Sequence, residues 1–154
     1  MQKYLWYVLL FLCCVQLQAQ IITDNTTFTV DQLVNTVLFE DNGCTNVSNI
    51  LSSTGAGPNG NGIAFFERNN SAFPLNDGVI LSTGNALNAA GPNVQEGFSD
   101  NIGTPGDVDL EAAMQAAGSP VASQDVSWIS FDFVPVANAI SFDYLFASEE
   151  YNGS

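Results

Sequence analysis

The stretch Val126–Tyr151, VSWISFDFVPVANAISFDYLFASEEY, decides how this chain is read. In its first half Ile129, Phe131 and Phe133 alternate with Trp128, Ser130 and Asp132. In its second half Ile140, Phe142, Tyr144 and Phe146 alternate with Ser141, Asp143, Leu145 and Ala147. A period of two marks a strand, because successive side chains of an extended backbone point to opposite faces. The break at Val134-Pro135-Val136-Ala137-Asn138 is short enough for an antiparallel hairpin, and Pro135, with no amide proton to give a ladder, ends the first arm. The expectation is a hairpin with one aromatic face. Burying each such side chain contributes about 1.5–3 kcal/mol before chain entropy is subtracted, which places the hairpin at the centre of a sheet and not at its rim. Asp132 and Asp143 fall on the other face. As cross-strand neighbours they would repel, so they ask for a bound cation, an offset register or plain solvent exposure, the last being the default.

Composition bounds what surrounds that hairpin. A length of 154 residues allows one domain, and 46% hydrophobic content is enough for a core. Two basic residues stand against sixteen acidic ones, for a formal charge of −14. Such a surface repels phosphate backbones and anionic headgroups, which excludes nucleic acid and peripheral membrane binding as expectations. It is compatible with divalent cations, although solubility is the plainer reason for the acid excess. The chain has no histidine, so neither a Ser-His-Asp nor a Cys-His nucleophile system can be built.

Residues 1–20 read as a signal peptide. Lys3 supplies the positive start, Leu5 to Val15 the apolar core, and Leu17-Gln18-Ala19 a small residue at the cut, after Ala19 or one residue later. The apolar run is shorter than the roughly 20 residues a membrane anchor needs, so no membrane insertion is expected once the leader is removed. A lipoprotein signal at Cys13 or Cys14 competes, but bulky Leu10-Phe11-Leu12 stands where small residues are wanted. Cleavage leaves Cys44 as the one thiol. It can be a small buried hydrophobe, the partner of a cysteine elsewhere, or half of an intermolecular bridge. One thiol without histidine makes no zinc site.

Upstream of the hairpin, a polar lead-in from Thr23 to Thr27 precedes Thr29–Phe39, which reads as a helix. Thr29 can cap it, Gln32 stands three residues on as in a capping box, and Leu33, Val34, Val37 and Leu38 share a face. Cys44 to Ser53 alternates as a strand. The glycine-rich run Thr54–Gly62 lacks Lys and leads into a strand pattern instead of a helix, so it fails as a phosphate loop and reads as a turn. Strands are expected near Gly62–Glu67 and Gly78–Thr83. From Gly84 to Gln124 the only regular element expected is a short helix, Val108–Ala116, stopped by Gly118 and Pro120.

The acidic residues supply the candidate sites. Asp107 and Asp109, with Glu111 or Asp100 nearby, form an Asp-x-Asp pair beside Gly103 and Gly106, the kind of oxygen-rich loop that calcium takes. The spacing is not that of an EF-hand. The plainer reading is that acids in a first helical turn stabilise its dipole. Glu149 and Glu150 are a carboxylate pair of the type a glycosidase uses. Neighbours in a strand point to opposite faces, however, so they flank one bond only if the strand ends or bulges at Ser148.

Five ordered pieces then carry a resemblance: Val47-Ser48-Asn49-Ile50, Gly78-Val79-Ile80-Leu81-Ser82-Thr83-Gly84-Asn85, Gly91-Pro92-Asn93, Gly106-Asp107-Val108-Asp109-Leu110, and Phe146-Ala147-Ser148-Glu149-Glu150-Tyr151 after a Phe-Asp-Phe-Val-Pro strand. Together these resemble the choice-of-anchor L domain, a family of secreted bacterial surface proteins. The resemblance implies an extracellular, mostly β domain that continues past Ser154, and it names no reaction. The expected architecture is mainly β, an antiparallel β-sandwich or jelly-roll-like fold with one or two short helices, over residues 21–154. The expected role is a secreted, non-catalytic cell-surface module for adhesion or glycan binding, with an extracellular glycan or a surface protein as partner. Ca2+ is its expected ion, held by Asp107, Asp109, Glu149 and Glu150. The alternative is a polysaccharide-acting hydrolase that uses those same carboxylates.

Overall fold

A computed structural model of the chain describes residues 20–40, 46–57, 59–92, 100–135, 138 and 140–148. Within them the strands form two antiparallel sheets, one of three strands and one of two, with two short helices and no closed barrel. The mainly β antiparallel class read from the sequence is the class observed. The signal-peptide core, Cys44, Glu149, Glu150 and Tyr151 lie outside the described residues.

The larger sheet runs in the order β1 (Ile22–Asp24), β3 (Ile63–Glu67), β4 (Asp77–Leu81). β3 is central because its sequence is apolar on both faces: Ile63, Ala64 and Phe66 are all buried. A strand covered on both sides needs a continuous apolar run, whereas an alternating one has a single side to cover. Phe66 packs edge-on against Phe73, with ring centroids 5.4 Å apart. Gly78, its register partner on β4, leaves room for that ring, since a Cβ there would come within 2.8 Å of Phe66 Cε1. β1 was not expected from the sequence. Three residues of Ile-Thr-Asp are too few to show a period, and pairing with β3 makes them a strand.

The smaller sheet pairs β2 (Asn46–Ser53) with β5 (Trp128–Val134). This corrects the expected hairpin. Its first arm is β5, but its second, Ile140 to Ser148, forms no ladder and is exposed throughout. Phe142 is 57%, Tyr144 86% and Phe146 84% solvent-accessible. Period two tells which face an extended chain would show; it does not supply a partner edge. β5 finds that edge 75 to 88 positions away in β2, and its Phe131 and Phe133 are covered from the helical side by Phe39, at centroid separations of 5.5 and 5.9 Å. The aromatic strand therefore sits in the two-stranded sheet, and β3 takes the central place. Asp132 and Asp143 are not cross-strand neighbours, because the residue opposite Asp132 is Ser48.

The first helix starts where expected. α1 (Val30–Gln32) is opened by a complete capping box: Thr29 Oγ1 accepts from Gln32 N–H at 3.2 Å, and Gln32 Oε1 accepts from Thr29 N–H at 2.9 Å. It continues as a wider π-helical segment, Leu33–Leu38. Leu33 and Val34 are buried, whereas Val37 is half-buried and Leu38 exposed. The expected four-residue face is thus only half used, because the wider turn rotates later side chains off the stripe. The second helix, α2 (Val108–Ala116), has the expected bounds, and Gly118 follows it at φ +83.

A knot of short polar side chains joins the two sheets at their ends. Thr54, just after β2, accepts from Gly62 N–H at 2.7 Å and lies 3.1 Å from Ser127 Oγ, just before β5. The Gly62 carbonyl accepts from Ser82 N–H at 2.8 Å, just after β4. A side chain at Gly62 would collide with Ser127 Oγ and the Ser82 carbonyl, so only glycine fits this crossing.

Candidate functional site

Two regions hold the side chains singled out in the sequence, and the structure treats them differently. The first is the acidic loop before α2. Asp107 is the N-cap: its Oδ1 accepts from Asp109 N–H at 3.0 Å and Leu110 N–H at 2.9 Å. That satisfies two donors a helix start leaves unpaired, and Asp109 and Glu111 place further negative charge in the first turn. Glu111 reaches back to the segment after the helix, where its Oε1 accepts from Ser123 N–H at 2.9 Å and from Ser123 Oγ–H at 3.0 Å. Ser123 Oγ in turn accepts from Asp107 N–H at 2.9 Å. These bonds clasp α2, none of whose residues is buried, to the strand-leading segment.

Asp100 is engaged elsewhere, accepting from Asn101 N–H at 2.9 Å and from Asn88 Nδ2 at 3.3 Å. Asp125 holds the Gly103 N–H at 2.7 Å. The carboxylates of Asp100, Asp107, Glu111 and Asp125 each accept from a local donor. Among the described residues no three His, Cys, Asp or Glu side chains come together in a group that could hold a metal ion. The other two expected ligands, Glu149 and Glu150, lie outside the described residues, so the four carboxylates named for calcium or for hydrolysis are represented here by Asp107 and Asp109 alone.

The second region is the aromatic run. Phe142, Asp143, Tyr144 and Leu145 line a shallow, open groove whose other wall is Pro74 and Leu75, in the loop between β3 and β4. Sequence reasoning missed this wall: the two segments lie far from each other along the sequence, and nothing local in Pro74-Leu75 signals a partner. The run presents large apolar side chains to solvent with one carboxylate, Asp143, among them. Contiguous exposed apolar surface of this kind is the usual mark of an interaction face.

Elsewhere, the Asp24 carboxylate gathers Thr26 and Thr27. Its Oδ1 accepts from Thr26 N–H at 2.7 Å, Thr26 Oγ–H at 2.8 Å and Thr27 N–H at 3.1 Å, and its Oδ2 accepts from the Thr27 hydroxyl. The Thr27 hydroxyl first, and then the Thr26 and Thr27 groups around it, hold this carboxyl well below the usual carboxylate range. This is a turn that orders the entry to α1.

No helix among the described residues is long and apolar enough to cross a membrane. Comparison with curated proteins finds no match, and comparison with solved structures finds none. The family comparison does find one, over residues 21–154, the whole span in which both sheets, both helices and the aromatic run lie. The chain belongs to the choice-of-anchor L domain family, a domain family of secreted surface proteins.

Proposed function

We propose that this protein works as a secreted, non-catalytic cell-surface module that holds an extracellular glycan against its aromatic run. The observation that carries the reading is the exposure of Phe142, Tyr144 and Phe146 around Asp143. Sugar rings have apolar C–H faces that lie on aromatic rings, and hydroxyls at their edges that a carboxylate can accept. A flat aromatic with a polar tip, such as Tyr144, suits a surface that is apolar on one side and wet on the other. The acid excess disfavours phosphorylated or sulfated partners by simple repulsion. Secretion is supported by the leader pattern in residues 1–20 and by the family.

The test is saturable retention of the protein on a panel of immobilised neutral glycans, repeated with Phe142→Ala and Tyr144→Ala. Retention that both substitutions weaken supports the module. Retention unaffected by either removes the aromatic run from the account, and capture by surface proteins that free glycan does not release points to a protein partner. The rival reading is a polysaccharide-acting hydrolase working through Asp107, Asp109, Glu149 and Glu150. Turnover on the same panel, lost on Glu149→Gln or Glu150→Gln, would decide for it.

A further inference from the structure

The loop between β2 and β3 carries two Asn-Gly pairs in succession, Asn59-Gly60 and Asn61-Gly62. Asparagine before glycine is the pairing most open to spontaneous deamidation, because a following residue without a side group lets the backbone close on the asparagine amide. The backbone nitrogen of the glycine attacks the carbon of the asparagine amide. A new N–C bond forms, the bond from that carbon to the amide nitrogen breaks, and ammonia leaves. Water then opens the resulting succinimide at either carbonyl, leaving aspartate or isoaspartate. The reaction needs a glycine nitrogen free to lose its proton and an asparagine amide free to swing onto it.

The two pairs differ in both respects. At Asn61 the Oδ1 accepts from Ile63 N–H at 2.8 Å, and the attacking nitrogen, that of Gly62, donates to Thr54 Oγ1 at 2.7 Å. Gly62 is buried, and the Asn61 carbonyl is held by Ala86 N–H at 3.0 Å. Electrophile and nucleophile are thus each tied to something else. Asn59 is exposed, and among the described residues the Gly60 nitrogen donates only across its own turn, to the Gly57 carbonyl at 3.3 Å, beyond the normal range for such a bond.

We propose that Asn59 is a site of spontaneous deamidation and that the fold protects Asn61, two residues further on. The product matters to the loop. An isoaspartate adds a methylene to the backbone next to Gly60, whose carbonyl lies so close to Gly55 that a Cβ on Gly55 would collide with it and with Ile102. The lengthened backbone has to shift at that crossing, and the new carboxylate adds charge to an already acidic protein.

The experiment incubates the whole protein in mildly alkaline buffer and follows conversion of amide to acid at each site by peptide mapping with mass spectrometry. A parallel sample is kept unfolded in urea. Asn59 is expected to convert about tenfold faster than Asn61 in the folded state, the factor corresponding to the net worth of one hydrogen bond. In urea the two rates should converge. The rate at Asn59 should rise with pH, since the attacking nitrogen must be deprotonated. Asn61 converting as fast as Asn59 in the folded state would overturn the proposal. So would an Asn59 that stays intact while the urea sample converts.

Discussion

Asn49 Nδ2 donates to Asp132 Oδ2 at 2.6 Å across the β2–β5 pair. The bond sits where the register slips: Ser48 stands opposite Asp132 and Leu51 opposite Ser130, so Asn49 and Ile50 together face Phe131. Asn49 takes φ +52 at this bulge, a conformation that asparagine tolerates better than other residues with a side chain. The residue thus serves twice, as the hinge of the bulge and as the partner of a carboxylate on the next strand. Asn49→Ala should cost about 1–2 kcal/mol, combining the lost bond with left-handed strain. Asn49→Gly keeps the backbone freedom and loses only the bond, so it should cost less. Urea unfolding of the two variants separates the contributions, and equal losses would show that the backbone conformation contributes nothing.

The crossing at Thr54, Gly62 and Ser127 is the point at which the two sheets are tied. Gly62→Ala forces a methyl group into Ser127 Oγ and the Ser82 carbonyl, and should destabilise the protein by about 1–3 kcal/mol, as overpacked sites do. Thr54→Ala and Ser127→Ala remove partners from one shared hydrogen-bonded group. Their combined effect should differ from the sum of the separate ones in a double-mutant cycle, and strict additivity would mean the two hydroxyls act independently.

Asp24 gives a pH dependence with a definite sign. Its carboxyl is held below the ordinary aspartate range by the hydroxyls and amides of Thr27 and Thr26. A group whose pKa is lowered on folding stabilises the fold fully above its unfolded pKa, about 3.9 for aspartate. That contribution fades as the pH falls from there through the lowered folded value. The effect is small because the turn is exposed to solvent. Carboxyl chemical shifts followed on acidification should show Asp24 protonating below the usual range, and Thr27→Ala should move it back up.

The parts of this fold legible in the sequence are those whose signal is local. Thr29 and Gln32 mark a helix start because their bonds span three residues, and Gly118 and Pro120 mark the stop of α2, whose capping by Asp107 the sequence did not disclose. β3 and β5 are legible as strands from their side-chain patterns. Which strand joins which is not, because pairing is settled by edges distant in sequence. That is why Ile140–Phe146 reads as the second arm of a hairpin and yet forms no ladder, and why β1 exists only through Phe65, Phe66 and Glu67. The groove between Phe142–Leu145 and Pro74-Leu75 was hidden for the same reason. Asp107 and Asp109 were legible as oxygen donors, but a sequence does not tell whether an aspartate faces an ion or its own helix.

Asp107 separates those two roles experimentally. Asp107→Ala removes the cap acceptor and should cost about 1 kcal/mol. Asp107→Asn keeps an oxygen for the Asp109 and Leu110 amides and should cost less, while lowering the negative charge that calcium would need. Thermal unfolding of each in excess chelator and in calcium makes the comparison. A midpoint that calcium raises in the native protein but not in Asp107→Asn assigns an ion to this loop. A midpoint indifferent to calcium in both leaves the cap as the whole role of the residue.

The aromatic run and the core should respond oppositely to truncation. Phe66 is buried on the central strand against Phe73, and Phe66→Ala should cost about 3–5 kcal/mol. Tyr144 is 86% exposed, so Tyr144→Ser should change stability by no more than about 0.5 kcal/mol. Phe131, half-covered by Phe39, should fall between them. This order distinguishes a ring that stabilises the fold from one kept at the surface for something else. A Tyr144→Ser variant that unfolds as readily as Phe66→Ala would make the run part of the core, and the glycan-facing role proposed for it would fall.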